Sequence, residues 1–281
     1  MRTTQLNHYP SASTLEFYKN KLYIIGDDAT QVLIVDRDHK LLDSITLFKS
    51  ESYRLSKKDK PDIESSFIGQ HSDQAYLIAL GSFSTKKRNK IFWINLNDKT
   101  QRSTSMKLPR SGVKSLNIEG AVLINNQLVL SNRADRSNKE NNLLVGSFDM
   151  NEGIGANELR KIKIDLPVAE TVVGLSSISY FKDQDLLLFA ASTESTSNST
   201  SDGPIGDSYI GYIKNFSAKL NASSLTPDKM INLNEYLASA NPQKIESIAA
   251  ESAQAKELTI HLASDNDDGK STLYKLKWKM E

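Results

Sequence analysis

The chain has 281 residues, 35 basic and 34 acidic side chains, a formal net charge of +1 and no cysteine. That balance supplies neither the concentrated basic footprint of a nucleic-acid binder nor a charged membrane-binding surface. The missing cysteines exclude disulfides, thiolate chemistry and cysteine-ligated metals, and no apolar stretch is long enough to span a bilayer.

From the N-terminus, MRTTQLNHYPSAS lacks the apolar core of a secretory signal, so the default compartment is the cytoplasm, or the periplasm where a signal has been trimmed. Short runs rich in β-branched and aromatic residues then follow: LEFY, KLYIIG, QVLIVD and DSITLF between Leu15 and Phe48. Turn-type residues such as Gly26-Asp27-Asp28 separate them, which predicts one antiparallel meander of four strands. The pattern recurs as IESSFIG, QAYLIALG, KIFWINL and STSMKL. A third copy runs NIEGAVLI, QLVLSN, LLVGSFDM and LRKIKIDL. A fourth runs LSSISYF, LLLFAAS, YIGYIKNF and a weaker MINL. The last copy, KIESIAA, ELTIHLAS and STLYKLKWKM, has only three strands.

Repeats of roughly 40–50 residues, each a four-stranded sheet, are the signature of a β-propeller. The expectation is therefore an all-β, single-domain five-bladed β-propeller over residues 1–281, closed by the N-terminal strand Thr3–Tyr9 completing the last blade. Six blades are the alternative, with extra strands in Ala156–Gly174 or Asn215–Gln243.

In a meander blade, the start of the innermost strand and the loop between strands two and three share one rim. The acids at the first position are Glu16, Glu64, Glu119 and Glu246; the fourth copy has Gly174-Leu175-Ser176 there instead. The loops add Asp27, Asp28, Arg88, Arg133, Asp135, Asp202, Asp265 and Asp267. Two carboxylates about 6 Å apart repel by roughly 3 kcal/mol at an effective dielectric near 20, so such a ring requires a cation, partial protonation or basic partners. Arg88 and Arg133 suit that role because a guanidinium fork pairs with carboxylates, and Lys60, Lys114 and Lys244 lie just upstream of the glutamates. The plainer alternative is that these acids only bond arginines and backbone amides between blades.

Asp265-Asn266-Asp267-Asp268-Gly269 invites a calcium assignment to Asp265 and Asp267, but it departs from the EF-hand spacing and also reads as an ordinary turn. The histidines His8, His39, His71 and His261 have no metal-ligand spacing, and His261 reads as a packed side chain in an alternating strand. Phe92, Trp93, Tyr274 and Trp278 occupy third strands and read as packing between blades. No nucleophile elbow or Walker loop is present.

The phrases KPDIES, ALGSFSTKKR, LNIEGAVLINNQLVLSNRAD, DGPIGDSYIG and KIESIAAE…ASDNDDG, taken in order from Ser11 to Trp278, resemble an uncharacterised bacterial family of propeller proteins of unknown function. That family is distantly similar to the phytase-like (esterase-like) propeller domain. The chain departs from it at Gly81-Ser82-Phe83-Ser84, where the family reads GSGS, and at Arg133-Ala134-Asp135, where it reads RGN. The resemblance implies a propeller with a shared polar rim and brings no established activity.

Three functions fit these residues. One is a propeller that binds a small molecule, a glycan or a protein at the channel rim. Another is a phytase-like, metal-assisted phosphate or ester hydrolase, with calcium the candidate cofactor. The third is a structural propeller whose channel is filled by salt bridges.

Overall fold

Second strands such as KLYIIG and QLVLSN are apolar without alternation, because each is covered on both faces by neighbouring sheets: Leu22–Gly26 and Leu128–Asn132 are buried throughout. Outermost strands read the opposite way, and QRSTS is exposed at all five positions. The computed structural model describes residues 1–135, 137–168, 172–194, 205–235, 237, 243–254, 256–265 and 269–280. They form five sheets arranged as the blades of a propeller.

The first blade is β2 (Ala12–Tyr18), β3 (Lys21–Gly26), β4 (Gln31–Asp36) and β5 (Leu41–Thr46). The second is β6 (Ile63–His71), β7 (Gln74–Gly81), β8 (Lys90–Asn95) and β9 (Gln101–Ser105). The third is β10 (Ile118–Ile124), β11 (Gln127–Asn132), β12 (Asn141–Asp149) and β14 (Arg160–Ile164), with β13 (Gly153–Ile154) hairpinned onto β12. The fourth is β15 (Val173–Phe181), β16 (Leu186–Glu194), β17 (Ile205–Lys214) and β19 (Lys229–Asn232); the intervening β18 (Ser224–Leu225) reaches back to pair in parallel with β14. The fifth is β20 (Ile245–Gln254), β21 (Glu257–Asp265), β22 (Ser271–Lys279) and, as its outer strand, β1 (Arg2–Leu6). The segments considered for a sixth blade instead supply β14, β18 and β19. No helix among the described residues is long and apolar enough to cross a membrane.

The five cores lie between blades. Phe67, Ile78 and Trp93 of the second blade pack with Leu128, Leu144 and Phe148 of the third, and the Phe67 and Phe148 rings meet edge to face at 5.1 Å. Tyr212 and Trp278 approach to 5.2 Å across the fourth and fifth blades. The third-strand aromatics Phe92, Trp93, Tyr274 and Trp278 all sit in these interfaces, as their positions in the repeat suggest.

Closure rests on β1, which pairs antiparallel with β22 from Arg2↔Lys275 to Leu6↔Ser271. The strand is shorter than Thr3–Tyr9 because the chain turns after Leu6. Tyr9 leaves the sheet and buries its ring, its hydroxyl placed 2.8 Å from the Ile24 carbonyl and 2.7 Å from that of Gln31. The same seam holds a buried polar chain. Thr4 Oγ1 lies 3.2 Å from His39 Nδ1, His39 Nε2 lies 2.9 Å from His261 Nδ1, and His261 Nε2 lies 2.8 Å from Glu251. Arg37 and Lys275 also pair with Glu251. Burial keeps both imidazoles neutral, with pKa values lowered to about 4 for His39 and about 3 for His261.

Deleting residues 1–6 removes a ladder strand and the Thr4 contact and exposes the β22 edge. Urea unfolding of the truncated protein is expected to show a loss of about 3–5 kcal/mol. Adding a peptide of residues 1–9 in trans restores part of it, and unchanged stability of the truncated chain would contradict the closure.

Candidate functional site at the channel mouth

Each inner strand begins with a register irregularity. The pairing skips between Ala12 and Thr14, Ile63 and Ser65, Ile118 and Gly120, Leu175 and Ser177, and Ile245 and Ser247. The skipped residues are Ser13, Glu64, Glu119, Ser176 and Glu246. A bulge releases one residue from the ladder and re-aims its side chain. Here it brings three acids together at one mouth of the channel, where Arg133 Nη1 lies 3.9 Å from Glu119 and 4.0 Å from Glu246.

The mouth is tightly charge-matched. Lys244 pairs with Glu246 at 2.8 Å, and Asn117 Nδ2 donates to Glu119 at 2.6 Å. Arg133 also donates to Ser192 Oγ at 2.9 Å. On the second blade, Arg88 pairs with Asp62 at 2.8 Å, and Ser82 Oγ donates to the same carboxylate at 2.6 Å. Lys60 bridges Asp62, at 3.0 Å, and Asp27. Burial opposes the Lys60 charge, but Asp27 and Asp62 hold its pKa above the ordinary lysine value. Burial pushes the Asp27 carboxyl up to about 6 against the pull of Lys60.

Glu64 differs from its neighbours. It makes no hydrogen bond and no ion pair with a described residue, although one oxygen each from Asp27, Asp62 and Glu64 come within 4.8 Å of one another. Burial, reinforced by Asp62, Glu119 and Asp27, holds its pKa well above the ordinary carboxylate range, against the pull of Lys60.

Glutamate 16 does not belong to this ring. Its strand's bulge is Ser13, so Glu16 falls three residues further along the channel, and its carboxylate accepts a hydrogen bond from Ser66 at 3.0 Å. Asp135 lies in the loop after β11, and its Oδ1 is used by that loop, accepting from the Ser137 and Asn138 backbone amides, both at 2.7 Å, and from the Ser137 hydroxyl. Asp28 is buried and pairs with Arg54 at 2.7 Å. Asp265 ends β21, its amide donating to the Lys244 carbonyl, whereas Asp202 and Asp267 lie outside the described residues.

Asp62, Asn117 and Arg54 escape a sequence reading of the rim. Asp62 precedes the inner strand with φ 57°, which turns its carboxylate back over the Ser82–Arg88 loop. That loop lies close because Gly81 has no side chain: a Cβ there would collide with the Arg88 carbonyl and stand 2.8 Å from that of Pro61. The only sequence signal for Asp62 is Pro-Asp immediately before a strand.

Two outcomes follow from this arrangement. Asp62→Asn takes the anion from half-buried Arg88 and leaves Lys60 with Asp27 alone, and is expected to cost about 2 kcal/mol in chemical denaturation; it also lowers the Glu64 pKa, as read by carboxyl-carbon NMR. Because the folded Glu64 pKa is raised, its stabilising contribution is full below the unfolded pKa and is lost as pH rises through the folded one. Glu64→Gln should therefore be more stable than the parent at alkaline pH, with the difference closing near pH 4.

A model of the Family of unknown function (DUF6929) matches residues 8–278. A search of curated proteins returns no match. Among solved structures, the glutaminyl cyclase of Myxococcus xanthus is similar at 10% identity, with 99% of this chain and 96% of that one covered and a TM-score of 0.55. The Malassezia sympodialis allergen Mala s 1 is similar at 9% identity, with 97% and 95% covered and a TM-score of 0.52. At such identities the likeness concerns the fold alone. The family match spans nearly all of the propeller, and the chain belongs to the DUF6929 family of unknown function.

Proposed function

We propose that the protein is a binding propeller whose channel mouth takes a small neutral polar molecule, of the polyhydroxylated kind found at the end of a glycan. The observation that carries this reading is Glu64, which has no ion pair among the described residues and a pKa held above the ordinary carboxylate range, beside acids that already have cations. An ionic ligand would upset a balanced mouth. A neutral hydroxyl-bearing ligand meets a carboxyl that both donates and accepts hydrogen bonds.

The convergence of Asp27, Asp62 and Glu64 oxygens within 4.8 Å favours a second reading, a calcium-type cation serving phosphate or ester hydrolysis as in phytase-like propellers. Lys60 competes with it, since its ammonium already sits on Asp27 and Asp62.

Calorimetry against sugars, calcium and phosphorylated compounds separates the two. For a neutral ligand, Glu64→Gln retains binding because the amide also donates and accepts, whereas Glu64→Ala weakens it roughly 5- to 10-fold. For a cation, Glu64→Gln loses binding, and Glu64→Gln with Glu119→Gln abolishes calcium-induced thermal stabilisation. Calcium binding lost in Glu64→Gln, with no sugar bound by the parent, would overturn the first reading.

A further inference from the structure

Deeper in the channel, away from the bulges, the inner strands build a second chamber. The residues three positions beyond each bulge are Glu16, Phe67, Val122, Ser179 and Ala249, one from each blade. With the residues that follow them, including Tyr18 and Tyr180, they line a cavity of about 170 Å³. An apolar cavity of about 150 Å³ accepts benzene, so this one has room for a single ring with a short arm.

Its chemistry is lopsided. Nine of the eleven residues that line this half-open pocket are aliphatic or aromatic, but polar atoms make up more than half of the surface they present, and it carries one carboxyl. Glu16 accepts a hydrogen bond from Ser66, which is linked in turn to Thr14, and it has no lysine or arginine partner among the described residues. The mouth, by contrast, gives Asp27, Asp62, Glu119 and Glu246 each a cation. Lys19 lies on this side of the molecule but sits over the Tyr18 ring, 5.3 Å from its centroid. Burial, only partly offset by Ser66, raises the Glu16 pKa to about 8.

A desolvated carboxyl with no cation beside it is costly to ionise unless a positive charge is brought to it. An anion would meet repulsion there, and a purely apolar molecule would leave the carboxyl unanswered. The geometry points to a second binding site, distinct from the channel mouth, that takes a small organic cation: the ammonium pairs with Glu16 and the body lies in the pocket between the inner strands. The aromatic lining adds to the preference for a cation over a neutral isostere.

Isothermal titration of the full chain with benzylamine, benzyl alcohol and benzoate at pH 8 tests this directly. Benzylamine is expected to bind at least tenfold more tightly than benzyl alcohol, with benzoate weakest. Glu16→Gln should reduce benzylamine to the level of the alcohol. Ser179→Leu, which fills the chamber and keeps Glu16, should remove binding of both. Because binding requires Glu16 to give up its proton, benzylamine affinity should fall on the order of tenfold from pH 8 to 6.5, with proton release seen as a buffer-dependent heat. Equal binding of benzylamine and benzyl alcohol by the parent, no benzylamine binding at all, or a folded Glu16→Gln variant that keeps full affinity would overturn the assignment. The first two outcomes need no variant.

Discussion

The skipped residue at the start of each inner strand is the constraint on which this molecule depends. It recurs in all five blades and removes one residue per blade from backbone pairing at the same height of the channel. What that residue is decides what the seam beside it becomes. Ser13 donates to the Ile63 carbonyl at 2.5 Å and Ser176 to the Ile245 carbonyl at 2.6 Å, each tying its blade to the next. Where the residue is glutamate, the same position is given to the channel mouth instead. One backbone device thus yields two blade-to-blade ties and three acids.

Electrostatics then sorts those acids. In a partly desolvated ring, neighbouring carboxylates cannot all remain charged without cations. Arg133 and Lys244 answer Glu119 and Glu246, while Lys60 and Arg88 are drawn to Asp62 and Asp27. Glu64 is left beside three acids, and although Lys60 favours its charge, burial and those acids hold its pKa above the ordinary carboxylate range. The Glu16 pKa is raised by a different route, through burial with no acid beside it among its causes. The channel therefore holds two carboxyls of raised pKa at two depths, one among other acids and one without a charged neighbour in hydrogen-bond reach among the described residues.

The blades were legible in the sequence because each second strand is an unbroken apolar run flanked by turn residues, and because the last copy lacked its fourth strand. The family resemblance agreed with that reading. The position of Glu16 was not legible. Matching LEFY to IESSF places Glu16 opposite Glu64, but apolar periodicity cannot register a bulge, and in the first blade the bulge falls on Ser13. Asp62 was hidden for a related reason: its role comes from a positive φ and a returning loop, not from strand pattern. Asp135 looked available, yet a short acid followed by Ser137 and Asn138 is spent on local backbone amides. His261 proved to be packed, stacked on Phe17 at 5.7 Å, but it is also the middle of a buried polar chain that joins residues far apart in sequence.

The outer strand of the fifth blade has a consequence for how the protein is made. Arg2 pairs with Lys275 and Leu6 with Ser271, so β1 finds its ladder partner only when the four blades between them and β22 itself have been synthesised. Until then β1 is an unpaired strand, and the β20–β22 sheet that completes the ring does not exist. Closing so long a loop slows the rate of folding far more than it lowers final stability, because loop entropy grows only with the logarithm of length. Early blades must persist as an open arc with an uncovered interface at either end, the condition in which sheets are most exposed to mispairing with other chains.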